Sequence, residues 1–245
     1  MKLSKKKAQT YYTLLLRTLH NASMFVSVFE QLLELEPLTT ISSEPKVFVW
    51  THQLTPETII HLAHTYLPAW MVENEIANFN GKRLVERLSV RLMFNQLLGA
   101  DATINYEENG RPYLTSRNAE IGVSHTKNAY AVSLANTRHG LDIEQWGCKA
   151  LKVKSMFVND IEACLLSPTT PLACSTEDAA TILWSAKEAA YKFKSIAGLS
   201  FKQDIELTVL SDKQFEVSFP NHPSQQAQIA CKKLDSCVVT CCKNT

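Results

Sequence analysis

The sequence of 245 residues has almost no net charge: 25 Lys and Arg offset 24 Asp and Glu, leaving +1 at neutral pH. No global field therefore points to nucleic acid or an anionic membrane as a partner. No Cys-x-x-C pair occurs among the seven cysteines, and no histidine follows Cys237, Cys241 and Cys242 at zinc-finger spacing. Such thiols are expected to be reduced and mostly buried in a cytoplasmic protein. No apolar run approaches the about 18 residues that span a bilayer. The opening lysines lead into an apolar stretch over 11–29, but Arg17, His20 and Asn21 break it and no cleavage site follows. A secretion signal is not expected. A tandem repeat is also absent by residue identity.

What is present is ordinary globular material, 45% apolar and 20% charged, enough for one large domain or two of about 120 residues. Residues 1–36 carry helical periodicity and read as an appended amphipathic extension ending at Glu36-Pro37, so 1–45 is set apart. Residues 46–52 read as a strand, and Thr55-Pro56-Glu57 as a helix start. A longer helix is predicted over 81–98, with Leu84, Leu88 and Leu92 on its apolar stripe and Gly99 as its stop. Its other faces carry Lys82, Arg83, Arg87 and Arg91, which suits either a solvated face or an anionic ligand. Short strands follow, with a turn at Asn109-Gly110 and an antiparallel meander through 103–106, 121–124, 130–135 and, after a turn at 136–139, the acidic strand at 140–144.

The run Gly140-Leu141-Asp142-Ile143-Glu144 has the period of a strand, which puts Asp142 and Glu144 on one face and Leu141 and Ile143 on the other. Two adjacent carboxylates repel, and each is disfavoured when desolvated. A hard divalent cation between them relieves both problems, Mg²⁺ before Zn²⁺ for oxygen-only ligands. A carboxylate pointing to water at a strand end is the plain alternative. Residues 155–166 read as a helix with Phe157, Ile161 and Leu165 on one stripe. A helix over 178–196, ended by Gly198, has a core stripe of Ala179, Ile182, Leu183, Ala186, Ala189, Ala190 and Phe193. Trp184, Glu188 and Lys192 lie on a separate face of it. Closing strands are predicted over 204–210, 214–219, 227–232 and 237–241. The order helix, glycine, strands thus occurs twice, and the fold class is α+β with two similar halves. Gly122-Val123-Ser124-His125 is no nucleophile elbow, since its second glycine is missing and adjacent Ser and His point to opposite strand faces.

Four ordered blocks carry a resemblance: Gly110-Arg111-Pro112, Val123-Ser124-His125, the GLDIE run at 140–144, and WSAKEAAYK at 184–192. Over roughly 46–240 the chain resembles the 4′-phosphopantetheinyl transferases, in particular the longer, surfactin-synthetase-activating type. The resemblance implies a monomeric pseudo-dimer of two halves, 46–138 and 139–245, each an antiparallel sheet packed on a long helix, with coenzyme A between them. It implies Mg²⁺, with Mn²⁺ as the alternative, held by Asp142, Glu144 and Glu188. Glu188, Lys192 and Asp142 take the catalytic positions. Gly110, Arg111, Pro112, Ser124, His125 and Lys192 take the coenzyme-binding ones, with Lys82 or Arg83 as an early basic contact. Arg111 stands where a lysine is commoner, and His139 where an aliphatic residue is usual. The implied partner is an apo acyl or peptidyl carrier protein, docking by charge complementarity near the segment from Lys149 to Phe157. Two other readings use the same residues: a metal-dependent phosphohydrolase acting on a nucleotide, and a binding module without activity.

Overall fold

The computed structural model describes residues 44–245, apart from 100–101, 116, 168, 173 and 223–225. The extension expected over 1–36 lies outside them. Strand β1 (Lys46–Thr51) leads into three helices, α1 (Pro56–Tyr66), α2 (Ala69–Asn78) and α3 (Gly81–Leu98). The short strands β2 (Ile104–Tyr106) and β3 (Pro112–Leu114) form a ribbon of their own. Then come β4 (Glu120–Thr126), β5 (Ala129–Ala135) and β6 (His139–Gln145), the single turn α4 (Lys149–Lys152), and the long helix α5 (Thr176–Lys194). Strands β7 (Glu206–Ser211), β8 (Gln214–Ser218), β9 (Ala227–Lys233) and β10 (Cys237–Asn244) complete the chain. No helix among the described residues is long and apolar enough to cross a membrane.

Among the described residues every strand pairing is antiparallel, which with the helices makes the class α+β. One sheet has the order β1-β5-β4 and the other β6-β10-β9-β8-β7. The expected single meander is therefore corrected: β6 leaves its sequence neighbours and pairs with β10, Asp142 opposite Thr240. Gly140 lies so close to α5 that a Cβ there would sit 2.0 Å from the Ala189 carbonyl oxygen and 2.4 Å from the Phe193 nitrogen. Only a residue without a side chain lets strand and helix backbones meet this closely, and that contact holds β6 on α5.

The helix ends follow local chemistry. Thr55 accepts a hydrogen bond from the Thr58 amide at 3.3 Å and Ser175 one from Asp178 at 3.1 Å, so both helices start at hydroxyl caps. Gly99 stops α3 with φ +88. The predicted stop of α5 at Gly198 is corrected: Ser195, at φ 51, already turns the chain out, and its amide donates to the Tyr191 carbonyl. Arg138 then donates to the Phe193 and Lys194 carbonyls, satisfying the last acceptors of the helix from outside. All seven residues of the predicted α5 stripe are buried, and they pack against Phe215, Val217, Ile229 and Val238 of the larger sheet.

The continuous helix expected over 155–166 does not form. Two 3₁₀ segments, Lys154–Met156 and Glu162–Leu166, replace it, and Ile161 is exposed rather than on a core stripe. The cause is Lys187, fully buried on α5. Its ammonium donates to Glu162 Oε2 at 2.7 Å and to the carbonyls of Phe157, Phe201 and Ile205. Glu162 Oε1 in turn accepts from the Leu207 amide at 3.0 Å. Drawing Glu162 inward satisfies a buried cation that would otherwise be very costly, and regular helical register over 155–166 is incompatible with it.

All seven cysteines are free thiols, and Cys231, Cys237, Cys241 and Cys242 are buried in β9 and β10. Burial pushes the Cys231 and Cys241 thiols up to about 12.

Candidate active site

Strand β6 and helix α5 run in opposite directions across each other. Phe193 lies over Gly140, Lys192 reaches Asp142, and Trp184 reaches Glu144. The strand period that aligns positions 140, 142 and 144 turns all three toward the helix. A buried hydroxyl pair holds α5 in place from the other strand: Ser185 Oγ and Thr240 Oγ1 are 2.8 Å apart, and Thr240 also donates to the Ser185 carbonyl.

Asp142 is only 3% exposed. Its Oδ1 accepts from Lys192 Nζ at 2.7 Å and from Ser124 Oγ at 2.9 Å, and Lys192 also donates to Ser124 Oγ at 3.1 Å. The Ile143 amide points at the same hydroxyl, 3.3 Å away. Ser124 thus bridges β4 and β6, joining the edges of the two sheets. Asp142 Oδ2 is buried without a donor among the described residues.

Glu144 accepts from the Trp184 indole nitrogen at 3.0 Å. Desolvation, and after it the charge of Asp142, push its carboxyl up to about 7, against the pull of the Trp184 bond and Lys192. Glu188 is raised too, by burial first and by Asp142, while Lys192 lowers it. Glu144 and Glu188 thus both lie within the field of Asp142.

These residues line a cleft of about 350 Å³ that also takes in Arg83, Gly110, Pro112 and His125. A second cavity of about 230 Å³ adjoins it at Gly110, Pro112, Val123 and Lys192. Arg111 lines that second cavity, where it is paired with Glu120. Lys82 lies outside the cleft lining, 74% exposed and 3.4 Å from Glu86. Among the described residues, no three His, Cys, Asp or Glu side chains are gathered closely enough to form a ready-made metal centre. What fits a hard divalent cation is the donor chemistry: an all-oxygen set, a buried carboxylate oxygen lacking a partner among the described residues, and two neighbouring carboxyls held up by burial and by the charge of Asp142.

Several functional neighbours were not legible as such. Glu75, fully buried, takes Arg87 Nε at 2.6 Å and Arg91 Nε at 2.5 Å. Half of the basic row on α3 is thereby tied to Glu75 of α2, although Arg87 still lines the cleft beside Arg83. His139 is buried beside Ser133: its Nδ1 donates to the Thr137 carbonyl at 3.1 Å, so Nε2 accepts from the Ser133 hydroxyl at 2.6 Å. That bond gives the departure at 139 a structural role. Phe157 is buried, so the expected docking segment presents Lys149, Lys152, Lys154 and Met156 but not Phe157.

The raised Glu144 has a measurable consequence. Its folded pKa of about 7 exceeds its ordinary 4.5, so folding takes up a proton between these values. The stability this group contributes is present at low pH and lost as pH rises through about 7. In metal-free buffer, Glu144→Gln is expected to melt higher than wild type above about pH 8 and to lose that advantage near pH 5. A melting difference that does not change with pH would refute the assignment. No family model matches this chain, and no curated protein matches it.

Proposed function

We propose that this protein transfers the 4′-phosphopantetheine arm of coenzyme A to a serine of an apo carrier protein. The observation that carries the reading is the Lys192 ammonium, bridging Asp142 and Ser124 on the wall of the cleft that Glu144 and Glu188 also line. In that reading the chain is a monomeric pseudo-dimer with halves 46–138 and 139–245, working in the cytoplasm.

The carrier serine oxygen attacks the phosphorus that bears the pantetheine arm. The bond from that phosphorus to the bridging oxygen breaks, and adenosine 3′,5′-bisphosphate leaves with the electron pair. Glu188, whose burial raises its proton affinity, receives the serine proton. Lys192 faces the charge that develops on the leaving phosphate. Asp142, Glu144 and Glu188 would hold Mg²⁺, or Mn²⁺, which supplies further neutralisation of the diphosphate. Gly110 and Pro112 line the boundary between the two cavities, where an elongated coenzyme would run. The exposed, basic surface of Lys149, Lys152 and Lys154 with Met156 beside it suits the acidic helix of a carrier.

The test is incubation with coenzyme A, Mg²⁺ and a panel of apo carriers, each weighed afterwards by mass spectrometry. At least one carrier is expected to gain a single phosphopantetheine on its serine. Release of adenosine 3′,5′-bisphosphate with no carrier present would overturn this in favour of a phosphohydrolase.

A further inference from the structure

Inside the same cleft sits an acid that the proposed chemistry does not use. Glu86, on α3, is 6% exposed, and three groups able to carry positive charge converge on it. Lys82 Nζ lies 3.4 Å from Oε1, Arg83 Nη1 lies 3.2 Å from Oε2, and His125 Nδ1 lies 3.5 Å from Oε1. Arg83 Nη1 is also 3.2 Å from His125 Nε2. Burial, and the charges of Arg83, Lys192 and Lys82, hold the His125 pKa down against the pull of Glu86, so the ring is neutral near pH 7. In a neutral ring facing these partners, Nδ1 carries the proton toward Glu86 and Nε2 receives the guanidinium hydrogen.

Lys82 and Arg83 are the two most mobile kinds of side chain, and both are largely exposed. Ordering each one on a ligand costs side-chain entropy. A buried carboxylate beneath them removes part of that cost beforehand, because its own position is set by the helix. Two cations against one acid leave a net positive charge at this end of the cleft.

We propose that Glu86 is a positioning residue that pre-orders Lys82, Arg83 and the His125 ring to receive a phosphate monoester. Under the coenzyme A reading, on which this rests, that group is the 3′-phosphate of the nucleotide. Glu86 touches neither the reacting phosphorus nor the serine, so its removal alters which nucleotide is preferred rather than the chemical step.

The experiment is calorimetric titration of the full chain, without divalent metal, with adenosine 3′,5′-bisphosphate and with adenosine 5′-monophosphate. Wild type is expected to prefer the bisphosphate. Glu86→Gln is expected to weaken bisphosphate binding about tenfold, the size of one charge-assisted contact. Binding of the monophosphate should stay within about twofold, and Glu86→Asp should recover part of the loss. Arg83→Ala, at an exposed position that does not threaten folding, is expected to remove the same preference. Equal weakening of both nucleotides would show a merely structural acid and overturn the proposal. Tighter bisphosphate binding by Glu86→Gln would overturn it too, since Glu86 would then be competing with the phosphate. Wild type binding neither nucleotide would sink the coenzyme A reading together with the inference. A wild-type preference that survives in both Glu86→Gln and Arg83→Ala would sink the inference alone.

Discussion

Glu188→Gln is expected to lower carrier modification by at least about a thousandfold while the protein stays folded. The amide has the shape of the carboxyl but neither accepts the serine proton nor carries the negative charge a divalent cation requires. Two separate contributions vanish with one substitution. A general base alone supplies on the order of 10²–10⁴ in rate. Folding is expected to survive because Glu188 is half-buried and receives no hydrogen bond from a donor among the described residues. Its present state is in fact unfavourable, with burial and Asp142 both working against its charge. The neutral side chain should therefore melt no lower than wild type. Single-turnover rates with a responsive carrier, beside a melting curve, decide the matter. A variant retaining more than about a tenth of the wild-type rate would remove Glu188 from the proton transfer.

Gly140→Ala is the second large effect, and it acts on the fold. The added methyl would lie 2.0 Å from one backbone atom of α5, 2.4 Å from a second and 3.0 Å from a third. Backbone cannot rotate aside as a side-chain tip can, so strand and helix must separate. Overpacking of this kind costs about 1–3 kcal/mol or more, against a total stability on the order of 5–15 kcal/mol. A drop of about 10 °C in melting temperature is expected, since each kcal/mol shifts a chain of this size by about 2–4 °C. The molecules that remain folded should also work poorly. Lys192 meets Asp142, and Trp184 meets Glu144, only at the present strand–helix spacing. A melting temperature within about 2 °C of wild type would show that the interface has slack, and that the glycine does not set the site's geometry.

The local parts of this architecture were legible from residue order. Hydroxyl caps, Gly99 at a helix end and the stripe of α5 are short-range signals, and the structure follows them. The alternation at 140–144 foretold which side chains share a face. Pairing across long separations was not legible. Nothing near 140 indicates that Asp142 lies opposite Thr240, because a strand's partner is chosen by the fold as a whole. Buried charges were hidden for a different reason. Lys82 and Glu86 at i, i+4 look like any exposed helix pair, and Lys187 looks like one more surface lysine. Glu162 under Lys187, His125 beside Glu86, and Glu75 beneath Arg87 and Arg91 are 12 to 39 residues away from those partners along the chain. Only the folded arrangement turns those acids into cores of small polar clusters.

The thiols of β9 and β10 lead to one more point. Packed as apolar filling, with Cys231 and Cys241 held protonated to about 12, they present almost no thiolate to an oxidant. Sulfenylation, glutathione capping and disulfide exchange all start from that anion. These four sulfurs would therefore endure unpaired in an oxidising medium as readily as in a reducing one. Cysteine usage in β9 and β10 thus speaks of sheet packing, not of the redox character of the surroundings.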